Sequence, residues 1–234
     1  MGVGKIIPRA PQLLAGAVIA VYASSCPAVD IVITNSGTFY KFDFGSVYTD
    51  SIWKIKQIGV CWEVMRDADA AFRALVQNAV KETWQKESQL SFEGWGECKT
   101  NTPGIHISIS DERSHTRTIG RYLDQMPSGM VLDYNFKTWS PDCIAHVEVC
   151  QRALAVHEFG HAIGFAHEQN RADTPPQCQR DQNGIIGSWN VTGYDPDSIM
   201  NYCNPKWKDS PTWTGNGLLS ARDVQAVVTI YGAR

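Results

Sequence analysis

The stretch that decides the reading is His157-Glu158-Phe159-Gly160-His161-Ala162-Ile163-Gly164-Phe165-Ala166-His167. It ends a run, residues 147–166, whose apolar residues predict a long buried helix. Side chains four apart on a helix lie on one face, one turn above the other, so the imidazoles of His157 and His161 can reach a single ion. Glu158, beside the first of them, can take a proton from a water activated there. A helix that simply continued would carry position 167 to another face. Gly164 meets that difficulty, because glycine accepts positive φ at low cost, ends the helix, and lets His167 swing back under the ion. Three of the chain's 6 histidines fall in this stretch, which makes histidines merely packed in a core helix a poor account of it. Three imidazoles without a fourth protein ligand also fit an open, catalytic zinc site better than a closed structural one.

Around this stretch the composition is that of a globular protein. The 234 residues suffice for one domain or a two-lobed one, with 43% hydrophobic and 19% charged residues. A net charge of −3, from 21 Lys+Arg against 24 Asp+Glu, with no basic run, argues against nucleic acid as a partner. No apolar run reaches the ~18 residues of a transmembrane helix. No period marks a solenoid or coiled coil. The 7 cysteines point to an oxidising compartment. Lys5 and Arg9, the apolar residues 13–22 and the small Ala23, Ser24 and Ser25 form a signal-peptide pattern over residues 1–25. Cys26 then stands where a lipoprotein acceptor would, although Ala23 occupies the place of the usual Leu. The expected organisation is a signal peptide at 1–25, a pro-segment or N-terminal extension at 26–48 and a catalytic domain at 49–234. The protein is expected to be secreted, extracellular or periplasmic, and to act as a monomer.

Hydrophobic patterning gives the elements. Residues 26–51 are β-prone, with breaks at Gly37 and Gly45; residues 53–64 alternate as a strand, and residues 67–86 carry apolar positions at helical spacing. Strands follow at 90–95 and 130–136. Between them, residues 104–110 alternate strictly, with Ile105, Ile107 and Ile109 opposed to His106, Ser108 and Ser110. This predicts a half-buried strand at a sheet edge. Beyond the long helix come loops rich in Pro, Gly, Asn and Trp. The last helix, 220–231, is capped by Ser220 with Asp223 three residues on.

The histidine motif followed by a methionine is the metzincin signature, and Met200 supplies the methionine within Ser198-Ile199-Met200-Asn201-Tyr202. The chain resembles the astacin family within that group. Glu168 after the third histidine, the run His167-Glu168-Gln169-Asn170-Arg171-Ala172-Asp173, the Met-turn and the closing helix from Leu219 to Tyr231 all match its pattern. The resemblance is strong from Ala153 to Tyr202 and looser upstream. Asn201 stands where the family usually has His, and the family's two disulfides do not map onto these cysteines, so the resemblance is to a divergent member. It implies an α+β, two-lobed metzincin-type catalytic domain. The upper lobe would hold a twisted, mostly parallel sheet with an antiparallel edge strand and two long helices; the lower would be loop-rich, with the Met-turn and a closing helix. It implies a zinc endopeptidase of protein or peptide substrates, with His157, His161 and His167 as ligands and Glu158 as general base. Tyr202 would ligate zinc or swing to stabilise the transition state, and residues 104–110 would be the strand along which substrate lies.

Six cysteines pair by position as Cys61–Cys98, Cys143–Cys150 and Cys178–Cys203, one of 15 connectivities. Cys26 is left over. Its thiolate could hold the zinc in a latent zymogen, with Asp43 in Phe42-Asp43-Phe44-Gly45 the alternative latency ligand. Both residues could equally have no catalytic part. The rival class is a catalytically silent zinc-containing protein-binding module, against which the intact Glu158 and Tyr202 speak.

Overall fold

The computed structural model describes residues 30–34, 37–41, 44–179, 184, 186–203 and 217–234. The chain divides into two compact units, residues 1–41 and 42–234. In the first, β1 (Asp30–Thr34) and β2 (Gly37–Lys41) form an antiparallel hairpin with Asp30 opposite Lys41 and Thr34 opposite Gly37. The second opens with β3 (Phe44–Val47) and contains everything else described below. Residues 44–47, expected in the N-terminal extension, thus pack within the same unit as the metal motif.

The upper half of this unit is built on a five-stranded sheet. Its members are β4 (Gln57–Trp62), β5 (Ser91–Glu97), β6 (Ile105–Ser110), β7 (His115–Thr116) and β8 (Met130–Asp133), in the order β5-β4-β6-β8-β7. All pairs are parallel except β7 with β8, which is antiparallel with His115 opposite Val131. Two elements differ from expectation. The alternating strand β6 is central, between β4 and β8, and the antiparallel edge is the two-residue β7. The polar side of β6 is partly covered by hydrogen-bonding loops. His106 is buried, with Nε2 2.7 Å from the Thr102 carbonyl, and Ser108 Oγ donates to Ser128 Oγ at 2.5 Å.

Helix α1 (Ala70–Glu82) buries Phe72, Val76, Ala79 and Val80, the one face that helical spacing allows, and packs on the long helix that carries the histidine motif. Trp84, first residue of the short α2 (Trp84–Glu87), is fully buried, and its indole N–H donates to the Val156 carbonyl at 2.8 Å. After the single turn α3 (Pro141–Ala145) comes α4 itself (Val147–Ala162), buried along most of its length. Phe159 meets Phe92 edge-on at 5.3 Å and stacks on Trp95 at 5.7 Å. Full burial of such a side chain stabilises by roughly 1.5–3 kcal/mol. The helix is therefore a fixed platform for the polar residues it carries.

In the lower half the described residues form α5 (Pro176–Gln179), β9 (Trp189–Val191) antiparallel to β3, and α6 (Ala221–Tyr231). Ser220 and Asp223 form the expected reciprocal capping box of α6. At the other end of α6, the Tyr231 hydroxyl donates to the Ile163 carbonyl at 2.6 Å, fixing this helix against the end of α4. Disulfides join Cys61 to Cys98, Cys143 to Cys150 and Cys178 to Cys203, as their positions suggested. Among the described residues no helix is long and apolar enough to cross a membrane.

Candidate metal centre

The last turn of α4 delivers His157 and His161, and the chain then leaves the helix through Gly164 at φ 102°. Phe165 N–H donates to the Gly160 carbonyl at 2.9 Å and Gly164 N–H to His161 at 3.0 Å, the paired bonds of a Schellman ending. Two further bonds from the β3 side clamp the exit: Tyr48 N–H to the Gly164 carbonyl at 3.1 Å and Ala166 N–H to Ser46 at 2.8 Å. This geometry turns His167 back beneath the helix.

The three imidazoles then converge. His167 Nε2 lies 3.3 Å from His157 Nε2 and 3.0 Å from His161 Nε2. His157 Nδ1 is 2.7 Å from the Ile199 carbonyl, and His161 Nδ1 is 2.7 Å from the Phe165 carbonyl. A carbonyl only accepts, so both Nδ1 atoms carry protons and the two Nε2 atoms present bare lone pairs. His167 Nε2 is within hydrogen-bonding range of both, so a single proton there faces two competing acceptors. A cation among the three nitrogens resolves the conflict, and the carbonyl-anchored Nδ1–H is the support that metal-bound imidazoles have. Burial, then the charge of His167, lowers His157 from 6.5 to about 3 despite its bond to Ile199. Burial and the other two imidazoles hold His161 well below 6.5. Both rings are therefore neutral at pH 7, which is the ligating form. The donor set fits a zinc ion.

Glu158 is 1% exposed, and its Oε2 has no hydrogen-bond partner among the described residues. Burial raises its carboxyl from 4.5 to about 8, against a backbone hydrogen bond from Thr116 that pulls it down. A buried carboxylate oxygen left without a donor is costly, and here it stands beside the histidine cluster.

The Met-turn closes the centre from below. Met200 is buried against Gly160: a Cβ there would fall 2.3 Å from Met200 Sδ, so only glycine admits the thioether so close to the helix. Asp223, from the capping box of α6, accepts Ser198 Oγ at 2.7 Å and Ile199 N–H at 2.9 Å. It thereby fixes the residue whose carbonyl orients His157. The Tyr202 ring stacks on His157 at 5.0 Å and tilts against His167 at 4.6 Å. Burial, then the charge of Glu158, pushes the Tyr202 hydroxyl above its ordinary value, with Arg113 acting the other way.

Glu168, next to the third histidine, points away from the cluster. Its Oε1 accepts Asp195 N–H at 2.8 Å and lies 3.4 Å from Arg171 Nε. Arg171 also makes two bonds of 2.7 Å to Asp173. The run that carried the resemblance is thus an internal brace. Cys26 and Asp43 lie outside the described residues.

Above the histidines opens a cleft of about 260 Å³, lined by residues 114–119 on one side and by Glu158, His161, His167 and Tyr202 on the other. No protein-family model and no curated protein matches the chain. Among solved structures it is similar to that of myroilysin, with TM-score 0.56 and 21% identity over 81% of this chain and 100% of that one. It is also similar to high choriolytic enzyme 1, a hatching enzyme zinc-protease of the medaka fish Oryzias latipes. There the TM-score is 0.50 and the identity 17%, over 82% of this chain and 96% of that one. The fold is that of an astacin-like metzincin. The cleft wall belongs to β7 and the residues flanking it. The sequence did not single out β7 because two polar residues, His115 and Thr116, form no pattern. The only available signal was their position between β6 and β8 in a sheet that needed an antiparallel edge.

Proposed function

We propose that the chain is a secreted zinc-dependent endopeptidase of protein or peptide substrates. The observation that carries this reading is the convergence of three imidazole nitrogens, two of the rings lining a cleft, beside a carboxylate oxygen with no partner among the described residues. His157, His161 and His167 would hold the zinc. When bound, the ion polarises a substrate carbonyl and brings the pKa of a water down to about 7. Glu158 would accept a proton from the attacking water and pass it to the leaving amine. The Tyr202 hydroxyl, kept protonated by burial, donates to the oxygen on which negative charge develops. The free side of β7 offers backbone groups to an extended peptide laid alongside it.

Three disulfides favour an extracellular or periplasmic place of work. A zymogen form fits the seventh cysteine, Cys26, left over by the three pairs, whose thiolate would take the water's place on zinc; Asp43 is the other residue that could do so.

The test is Glu158→Gln. The variant should bind zinc as the wild type does and lose peptide hydrolysis by at least about 10²-fold, the low end for a general base. Near-native turnover by Glu158→Gln, with zinc bound, would exclude this assignment.

A further inference from the structure

Two guanidinium groups, that of Arg117 in the cleft wall and that of Arg113 just before β7, have no use in the catalytic roles above. Arg113 and Arg117 flank β7, both exposed. The residues between them fix their side of the strand. Ser114 is buried and its Oγ accepts Asp133 N–H at 2.9 Å, so its neighbours face the other way. Neither arginine floats free. The Arg113 guanidinium sits 5.2 Å over the Trp139 ring, and that ring is itself held by Nε1–H donation to Asp133 Oδ2 at 2.5 Å. Arg117 Nε donates to the Ser128 carbonyl at 2.8 Å, and its backbone N–H continues the ladder to Gly129. Each arginine therefore keeps terminal N–H donors available while its stem is fixed. Among the described residues neither forms an ion pair with a carboxylate, although Asp111 and Glu112 are adjacent in the chain. Arg117 and His115 line the cleft, and Arg113 acts electrostatically on Tyr202 from the opposite end. Four residues of extended chain separate the two backbone positions by ~13 Å. In a protein of net charge −3, this is a local reversal of sign along the wall where a peptide would lie.

We propose that Arg113 and Arg117 are specificity residues that select peptide segments bearing carboxylate side chains opposite them, so that the preferred substrates are acidic stretches of protein. The inference rests on the endopeptidase reading for its cleft but not for its chemistry. A strand paired to β7 brings its own residues into register with positions 113 and 117. Its Glu or Asp side chains then meet pre-positioned guanidinium forks, which bind carboxylates through two parallel hydrogen bonds. Lysine at either position would supply charge without the fork.

The test uses internally quenched peptides in which one Glu, or two Glu four residues apart, is moved along an otherwise neutral sequence. Each peptide has a twin with Gln in place of Glu. The zinc-loaded protein should cleave the best Glu peptide about tenfold faster in kcat/KM than its Gln twin. Arg117→Gln and Arg113→Gln should each reduce that ratio, and the double variant should bring it close to 1. Arg117→Glu should turn the preference toward Lys-containing peptides. Fluorescence anisotropy with zinc-loaded Glu158→Gln reads the same Glu-over-Gln preference as binding, without turnover. A ratio near 1 at every position, or a preference that survives the double variant, overturns the proposal. Absence of all hydrolysis while the binding preference persists would remove the endopeptidase reading and leave this one standing.

Discussion

Replacing Gly164 by alanine perturbs the turn that makes three ligands from one stretch of chain. At φ 102° an L side chain is strained by about 1–3 kcal/mol, and the new Cβ would sit 3.2 Å from Ser51 Oγ. Alanine also narrows the unfolded ensemble, which offsets about 0.4–1 kcal/mol. A net cost of about 1–2 kcal/mol remains. It can appear in two ways. If the clamp from Tyr48 and Ser46 holds the turn, the metal-free variant unfolds that much more easily. If the turn relaxes instead, His167 moves off the other two nitrogens and zinc affinity falls, by about 5- to 30-fold at 1.4 kcal/mol per decade. Urea unfolding of the metal-free chain and zinc competition against a chromophoric chelator measure the two shares, and their sum should reach 1–2 kcal/mol. A variant within about 0.3 kcal/mol of wild type in both assays would refute the claim that this turn demands glycine.

Asp223 gives a pH signature. Burial lifts its carboxyl from 3.8 to about 6. Because the folded value lies above the unfolded one, the group's stabilising contribution is full below pH 3.8 and is lost as pH rises through about 6. The wild type should therefore lose up to about 3 kcal/mol relative to Asp223→Asn between pH 4 and pH 7.5 in urea unfolding; a gap that does not change with pH would contradict this. For latency, the unprocessed Cys26→Ser chain should hydrolyse peptide faster than the unprocessed wild type. Equal activity would clear the thiol and make Asp43→Ala the next variant.

The convergence of the three histidines was legible because local rules fixed it: helical spacing for His157 and His161, and a glycine at the one place where the chain had to turn back. The three disulfide pairs and the capping box of α6 were legible for the same reason, since each joins positions whose neighbourhood the element order sets. The sheet order was not. Strict alternation in β6 announces two unlike faces, but it cannot tell water from hydrogen-bonding loops, and Thr102 and Ser128 supply the latter. The true edge, β7, is too short for periodicity to register. Its role comes from pairing with β8 and from facing Glu158, both long-range facts. The extent of β3 was hidden similarly, because its partners β9 and Ala166 lie far along the chain.

Zinc content measured beside peptide hydrolysis in the same preparation tests the central claim most directly. One zinc per chain is expected, with metal and activity lost together on chelation and restored together by zinc alone. A chain that carries no stoichiometric transition metal and hydrolyses peptides undisturbed by chelator would contradict it.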